Sequence, residues 1–178
     1  MAIWQFRIDL IPMSALRAKF GTVPISVPQD LAEDFDWWSD AQPPSGFKER
    51  LDSILPGAGS WSEEMLIWGD ERGDTASVCF DDTHRVQWVG FRVDVRSISH
   101  SLIRKICALA SDWGCMLMGS TYHLMAPNEK AVLAAIGRST AKRYIENPIA
   151  TLLGMKRTSG EVIQLPNKNK GDGDPPKR

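Results

Sequence analysis

Residues 64–96, "EMLIWGDERGDTASVCFDDTHRVQWVGFRVDVR", decide the fold. They contain three apolar runs separated by two clusters of turn-forming residues, "GDERGD" at 69–74 and "DDTH" at 81–84. Apolar runs of this length between Gly and Asp clusters are the pattern of strands joined by hairpins, so the spacing predicts a three-stranded antiparallel meander. The third run sets Val89, Phe91, Val93 and Val95 against Gly90, Arg92, Asp94 and Arg96. A period of two packs one face of the strand inward and leaves paired charges on the other.

The same alternation opens the chain. Over residues 3–11, Trp4, Phe6, Ile8 and Leu10 fall on one side of a predicted strand and Gln5, Arg7 and Asp9 on the other, with Pro12 as its stop. The run Phe6-Arg7-Ile8-Asp9-Leu10 echoes Phe91-Arg92-Val93-Asp94-Val95, a likeness that strand patterning explains as well as duplication does. Between these strands, "GTVPISVP" at 21–28 carries prolines that allow at most an edge strand. A short helix is expected over 29–35, with acids at its start where the helix dipole favours them. A second follows in "SGFKERLDSIL", where Phe47, Leu51 and Ile54 share a face and Pro56 and Gly57 close it.

Downstream of the meander, Ser97 or Ser99 can cap a long helix running through Trp113, with an apolar stripe of Ile103, Ile106, Leu109 and Ala110, and Gly114 ends it. "CMLMGSTYHLM" reads as a strand or strand pair, Asn128 as the cap of another helix, and "TAKRYIEN" as a short helical piece stopped by Pro148. Strands clustered in the middle with helices on either side predict an α+β fold, an antiparallel sheet of about four to six strands with helices mainly on one face. One domain over 1–155 is expected, followed by a polar tail over 156–178 that has nothing to bury and is expected to be disordered.

The length of 178 residues suits one substantial core, and 43% hydrophobic with 24% charged residues is an ordinary globular composition. No run approaches the roughly 18 apolar residues of a membrane span, and Arg7 and Asp9 interrupt the N-terminus where a signal peptide needs an apolar stretch. A cytoplasmic location is expected. Cys79, Cys107 and Cys115 are odd in number and lie in apolar segments, which reads as buried thiols in a reducing compartment. The net charge of −1 hides a division: residues 1–82 hold 15 acids and 6 bases, net −9, and residues 83–178 hold 7 and 15, net +8. Surfaces of opposite sign follow if the fold keeps the halves apart.

Catalytic machinery is hard to find. His84, His100 and His123 lack the short spacing that brings two ligands to one metal. Cys79 and His84 bracket a turn with no third group to activate a nucleophile. Asp81-Asp82, Glu63-Glu64, Asp70/Asp74 and the "GDGD" at 171–174 have neither the loop length nor the terminal glutamate of a calcium site. There is no phosphate-binding glycine loop, so no cofactor or metal is expected. Arg138, Lys142 and Arg143 beside Tyr144, with Lys156 and Arg157 beyond, form a basic stretch. The acidic whole and the missing stacking platforms argue against nucleic acid as partner.

What remains is "DLAEDFDWWSDAQPPSGF", residues 30–47, where Trp37 and Trp38 stand among five acids. The pair can fold back onto the core as a lid, as large aromatics often do. Neighbours in an extended segment point to opposite sides, however, so one ring is expected to stay exposed. An exposed tryptophan ringed by Glu33, Asp34, Asp36 and Asp40 has the make-up of a protein-recognition site, an aromatic anchor with a steering rim. The partner-binding candidates are therefore Asp34, Asp36, Trp37, Trp38 and Asp40.

The segments "SWSEEMLIWGDERGDTASVCFDD" at 60–82, "FRVDVR" at 91–96 and "IGRSTAKRYIENPIATLLG" at 136–154 resemble small bacterial proteins of unassigned biochemical function. Some of these look like the immunity proteins of polymorphic toxin systems. The resemblance implies an antitoxin that binds and blocks a toxin or effector domain in the cytoplasm, and it transfers no catalytic residue. Two alternatives stand beside it: a small enzyme with a cleft near His84, Asp81 and Asp82, and a structural subunit that uses the tryptophans as a permanent contact.

Overall fold

The computed structural model describes residues 2–60 and 62–158. In chain order the elements are β1 (Gln5–Pro12), α1 (Met13–Phe20), α2 (Gln29–Asp34), α3 (Phe47–Asp52), β2 (Gly57–Ala58), β3 (Met65–Gly69), β4 (Thr75–Phe80), β5 (Val86–Asp94), α4 (His100–Asp112), β6 (Cys115–Gly119), β7 (Leu124–Met125), α5 (Glu129–Arg138), α6 (Thr140–Glu146) and α7 (Pro148–Thr158). The strands form one seven-stranded antiparallel sheet in the order β2-β3-β4-β5-β1-β6-β7. The meander is therefore present as β3-β4-β5, and the N-terminal strand inserts between its last member and β6.

Turn chemistry sets the register. Gly69 has φ 87°, and a Cβ there would lie 2.1 Å from the Asp74 carbonyl oxygen, so only glycine can start this hairpin loop. In the next turn one Asp81 carboxylate oxygen accepts from the backbone N–H of Thr83 and Arg85 and from the Thr83 hydroxyl, at 2.7–2.9 Å. Those bonds replace the ladder at the turn and hold the Asp81 carboxyl below its ordinary range. The Ser99 hydroxyl caps α4 by accepting from the Leu102 N–H, and Asn128 caps α5 in the same way.

Register and alternation divide the sheet into two unlike faces. Phe6, Ile8 and Leu10 share one face with Phe91, Val93, Ala76, Val78 and Leu117. Helix α3 covers this face, with Phe47 against Phe80 and the Trp68 indole N–H donating to Asp52 at 2.7 Å. Helix α4 lies beside α3, to which it is joined by the Arg50–Asp112 ion pair, and α5 packs on α4. Burial of Ile103, Ile106, Leu109, Val132 and Ile136 closes the core. The other face carries Gln5, Arg7, Asp9, Ile11, Trp88, Gly90, Arg92, Ser77 and Cys79. Ile11 and Met118 are buried on it, whereas Arg7, Cys79, Trp88 and Arg92 remain half-exposed.

Three features depart from expectation. The sheet has seven strands: β6 and β7 are the strand pair read in 115–125, and β2 is a two-residue edge piece too short to show a period. Helix α1 went unforeseen since Leu16 is its one buried residue and no stripe marks it. Helix α7 continues to Thr158, past the expected end of the domain at 155, and the tail from 159 lies outside the described residues. The segment 21–28 adds a single bridge, Ser26 to His123, in keeping with its prolines.

Candidate functional site

The tryptophan loop is part of the core. Trp37 is 4% exposed and Trp38 2%, so the expectation of one exposed ring is corrected. Trp37 packs against Phe35 and Phe20, with ring centroids 4.6 and 6.3 Å away. Trp38 meets the edge of Trp113 at 6.2 Å and donates its indole N–H to the Leu10 carbonyl at 3.2 Å. The rings do point into different surroundings, as adjacent residues should, but each direction ends in packed side chains because the loop is flanked by protein on both sides.

Polar contacts then fix the loop backbone. Asp36 accepts from the Trp38 N–H at 3.0 Å, so this carboxylate serves the turn. The Gln42 side chain acts as a short strand: its amide N–H₂ donates to the Trp38 and Val86 carbonyls at 2.6 and 2.9 Å, and its oxygen accepts the Val86 N–H at 2.8 Å. Arg85 donates to the Ser39 carbonyl from the neighbouring turn. With backbone and rings held, Asp30, Asp34 and Asp40 project from the surface with no hydrogen bond or ion pair among the described residues. Glu33 accepts from Gln29 and from the Tyr122 hydroxyl. A groove of about 310 Å³ borders this edge, lined by Ala15, Ala18, Lys19, Phe35 and Asp40.

Of the predicted site residues, the structure thus keeps Asp34 and Asp40 as free surface charges, commits half-buried Asp36 to the turn and turns Trp37 and Trp38 inward. No protein-family model, curated protein or solved structure matches this chain.

The remaining candidates fall into structural places. His84 is exposed at the end of the Asp81 turn with φ 61°, its N–H donating to the Asp81 carbonyl at 2.9 Å. Asp81 is occupied by the turn, so the trio of His84, Asp81 and Asp82 has a conformational explanation. His100 bonds Glu129 at 2.8 Å, with Arg104 on the same carboxylate; the His100 hydrogen bond first, and then the Arg104 charge, hold the Glu129 carboxyl below its usual range. His123 sits at the β7 edge. Among the described residues no three His, Cys, Asp or Glu side chains converge as metal ligands, and no helix is long and apolar enough to cross a membrane. Burial pushes the Cys107 and Cys115 thiols up to about 11 and about 12, which keeps both protonated and inert.

Two surfaces escaped the sequence reading. Helix α7 leaves Ile149, Leu152 and Leu153 exposed in a row. The polar face of the sheet holds the second. There Asp9, 3% exposed, accepts from Arg7 Nε at 2.8 Å and from the Trp88 indole N–H at 3.0 Å, while the Arg7 guanidinium lies 5.4 Å from the Trp88 ring centre. Burial raises the Asp9 carboxyl above its normal range, against the pull of Arg7 and the two hydrogen bonds. Gly90 makes this arrangement possible, because a Cβ there would sit 2.2 Å from the Trp88 ring. The alternation in both strands had placed Arg7, Asp9 and Arg92 on solvent-side positions; only the register brought them together.

Proposed function

We propose that this chain is a binding protein without catalytic chemistry, and that it blocks a basic site on a toxin or effector domain in the manner of an immunity protein. The observation that carries the reading is the acidic edge of Asp30, Asp34 and Asp40, uncompensated charge mounted on a loop that two buried tryptophans hold rigid. A preformed loop loses little entropy on binding, and exposed like charges accelerate encounter with a positive surface. Trp37 and Trp38 support the interface from beneath, a different role from the anchors expected of them. The toxin-immunity assignment rests on the resemblance of residues 60–82, 91–96 and 136–154 to such proteins.

The test pairs the wild type with Asp34→Lys/Asp40→Lys, two exposed changes that leave the core intact. Tagged protein is used to capture partners from native lysate and culture, and the captured domain is then titrated for loss of its activity. The expected result is one stoichiometric partner, inhibited by the wild type and bound about tenfold or more weakly by the variant, with association slowed by salt. Equal inhibition by the variant removes the acidic edge from the interface, and a captured partner that keeps full activity ends the immunity reading.

A further inference from the structure

The charges on the polar face of the sheet do not balance. Arg7 and Arg92 are direct cross-strand partners in the β1–β5 pair and so project from the same face. Like charges directly opposite each other in a sheet are destabilising, and such a pair persists when something else accounts for it. Arg7 has the Asp9 carboxylate. The Arg92 side chain, on a half-buried residue, has no hydrogen bond or ion pair among the described residues.

The carboxylates within reach of Arg92 along the sheet are committed elsewhere. Asp94, two residues on and on the same face, is held by Arg96 through Nε and Nη2 at 2.7–3.2 Å, hydrogen bonds that hold its carboxyl below the ordinary range. Asp74 accepts the Asp94 backbone N–H at 2.7 Å. Asp9 already takes two donors on one oxygen.

On the other side of Arg92, its partner in the β4–β5 pair is Thr75, 2% exposed, whose hydroxyl is buried with no hydrogen-bond partner. Ser77 lies opposite Gly90 and Cys79 opposite Trp88 on the same face. Arg7 and Thr75 thus flank Arg92 on either side in the ladder, all three on one face, and the Arg7 and Arg92 charges both oppose the rise that burial gives the Cys79 thiol. The result is a half-open patch with an unneutralised guanidinium, a second one whose Nε alone is hydrogen-bonded and which lies over the Trp88 ring, and an orphaned hydroxyl on the neighbouring strand. Guanidinium forks match planar and tetrahedral oxyanions through paired N–H donors, and hydroxyl donors complete such sites.

We propose that Arg92, supported by Arg7 and Thr75, forms a binding site for an oxyanion, the carboxylate or phosphate group of a small ligand, on the open face of the sheet. This site is independent of the acidic edge and of the partner assigned to it. Trp88 borders it, its ring against Gly90 and under the Arg7 guanidinium.

The experiment measures thermal unfolding at constant ionic strength while chloride is exchanged for inorganic phosphate or for succinate, in the wild type, Arg92→Met and Arg92→Lys. The wild-type midpoint rises saturably with one of the two oxyanions, and the one that saturates at lower concentration identifies the ligand class. Arg92→Met loses the shift, and Arg92→Lys, which keeps the charge without the fork, binds about tenfold more weakly. Without oxyanion and at low salt, Arg92→Met is at least as stable as the wild type, because it removes an unpaired half-buried charge. In parallel the Trp88 indole N–H resonance, identified by its absence in Trp88→Phe, moves with the same saturation curve in the wild type. A wild type that responds to phosphate and succinate no more than to chloride, or an Arg92→Met variant that responds equally, overturns the proposal. So does a Trp88 resonance that stays still, a readout that stands even if Arg92→Met fails to fold.

Discussion

Replacing each loop tryptophan by phenylalanine separates two rings that look alike in the sequence. Trp37→Phe and Trp38→Phe remove the same volume from sites that are both nearly sealed, so the cavity contributions cancel to first order. The indole N–H groups do not cancel. Trp38 donates to the Leu10 carbonyl, a bond that contributes about 0.5–1.5 kcal/mol net. Trp37 buries its N–H with no partner among the described residues, and removing an unsatisfied donor relieves about 1–3 kcal/mol. Trp37→Phe is therefore expected to be more stable than Trp38→Phe by about 2–4 kcal/mol. With a urea slope of about 2 kcal/mol per molar, the two midpoints separate by roughly 1–2 M. Far-UV circular dichroism is the suitable probe, since the substitutions alter tryptophan fluorescence directly. Equal midpoints, or a lower one for Trp37→Phe, would refute the reasoning, because they require that the two N–H groups have equivalent surroundings. Truncation of either ring to alanine should cost about 3–5 kcal/mol, and a cost under about 1 kcal/mol would mean that the ring is not core.

Two further outcomes test the polar face. Gly90→Ala forces its new Cβ to within 2.2 and 2.8 Å of Trp88 ring carbons and 2.9 Å of the Asp9 carboxylate, so the indole must leave and its hydrogen bond with it. A loss of about 2–4 kcal/mol is expected in urea unfolding, shrinking when Trp88→Leu is already present; an undiminished loss in that background places the strain elsewhere. Of the three thiols, half-exposed Cys79 should react first with an aromatic disulfide reagent near pH 8, its rise through burial being opposed by Arg7 and Arg92. Cys107 and Cys115 should react only on unfolding. Early labelling of either, read by peptide mapping, contradicts their burial.

The strands of the meander were legible because local signals agreed there. Alternation, the glycine at 69 and the aspartate at 81 all pointed to the same hairpins, and each acts over a few residues. Helices α4 and α5 were legible for the same reason, with Ser99 and Asn128 standing at the caps. Helix α1 was not, since a helix that buries one side chain has almost no periodic signal to offer.

The candidate site was legible in composition and illegible in depth. A cluster of acids around two tryptophans is visible in the chain, but whether an aromatic ring is an anchor or a buttress depends on what lies on each side of it. Phe20 and Trp113 are distant in sequence, and no local pattern places them against Trp37 and Trp38.

By itself the sequence determined the α+β class, the hairpins of the central sheet and the two-faced character of β1 and β5, because these follow from interactions between residues close along the chain. Tertiary structure alone decided that both tryptophans are buried, that β1 inserts between β5 and β6, and that Arg7 faces Arg92. Each of those depends on pairings between distant segments, where register and packing choose among arrangements that the local pattern leaves equal.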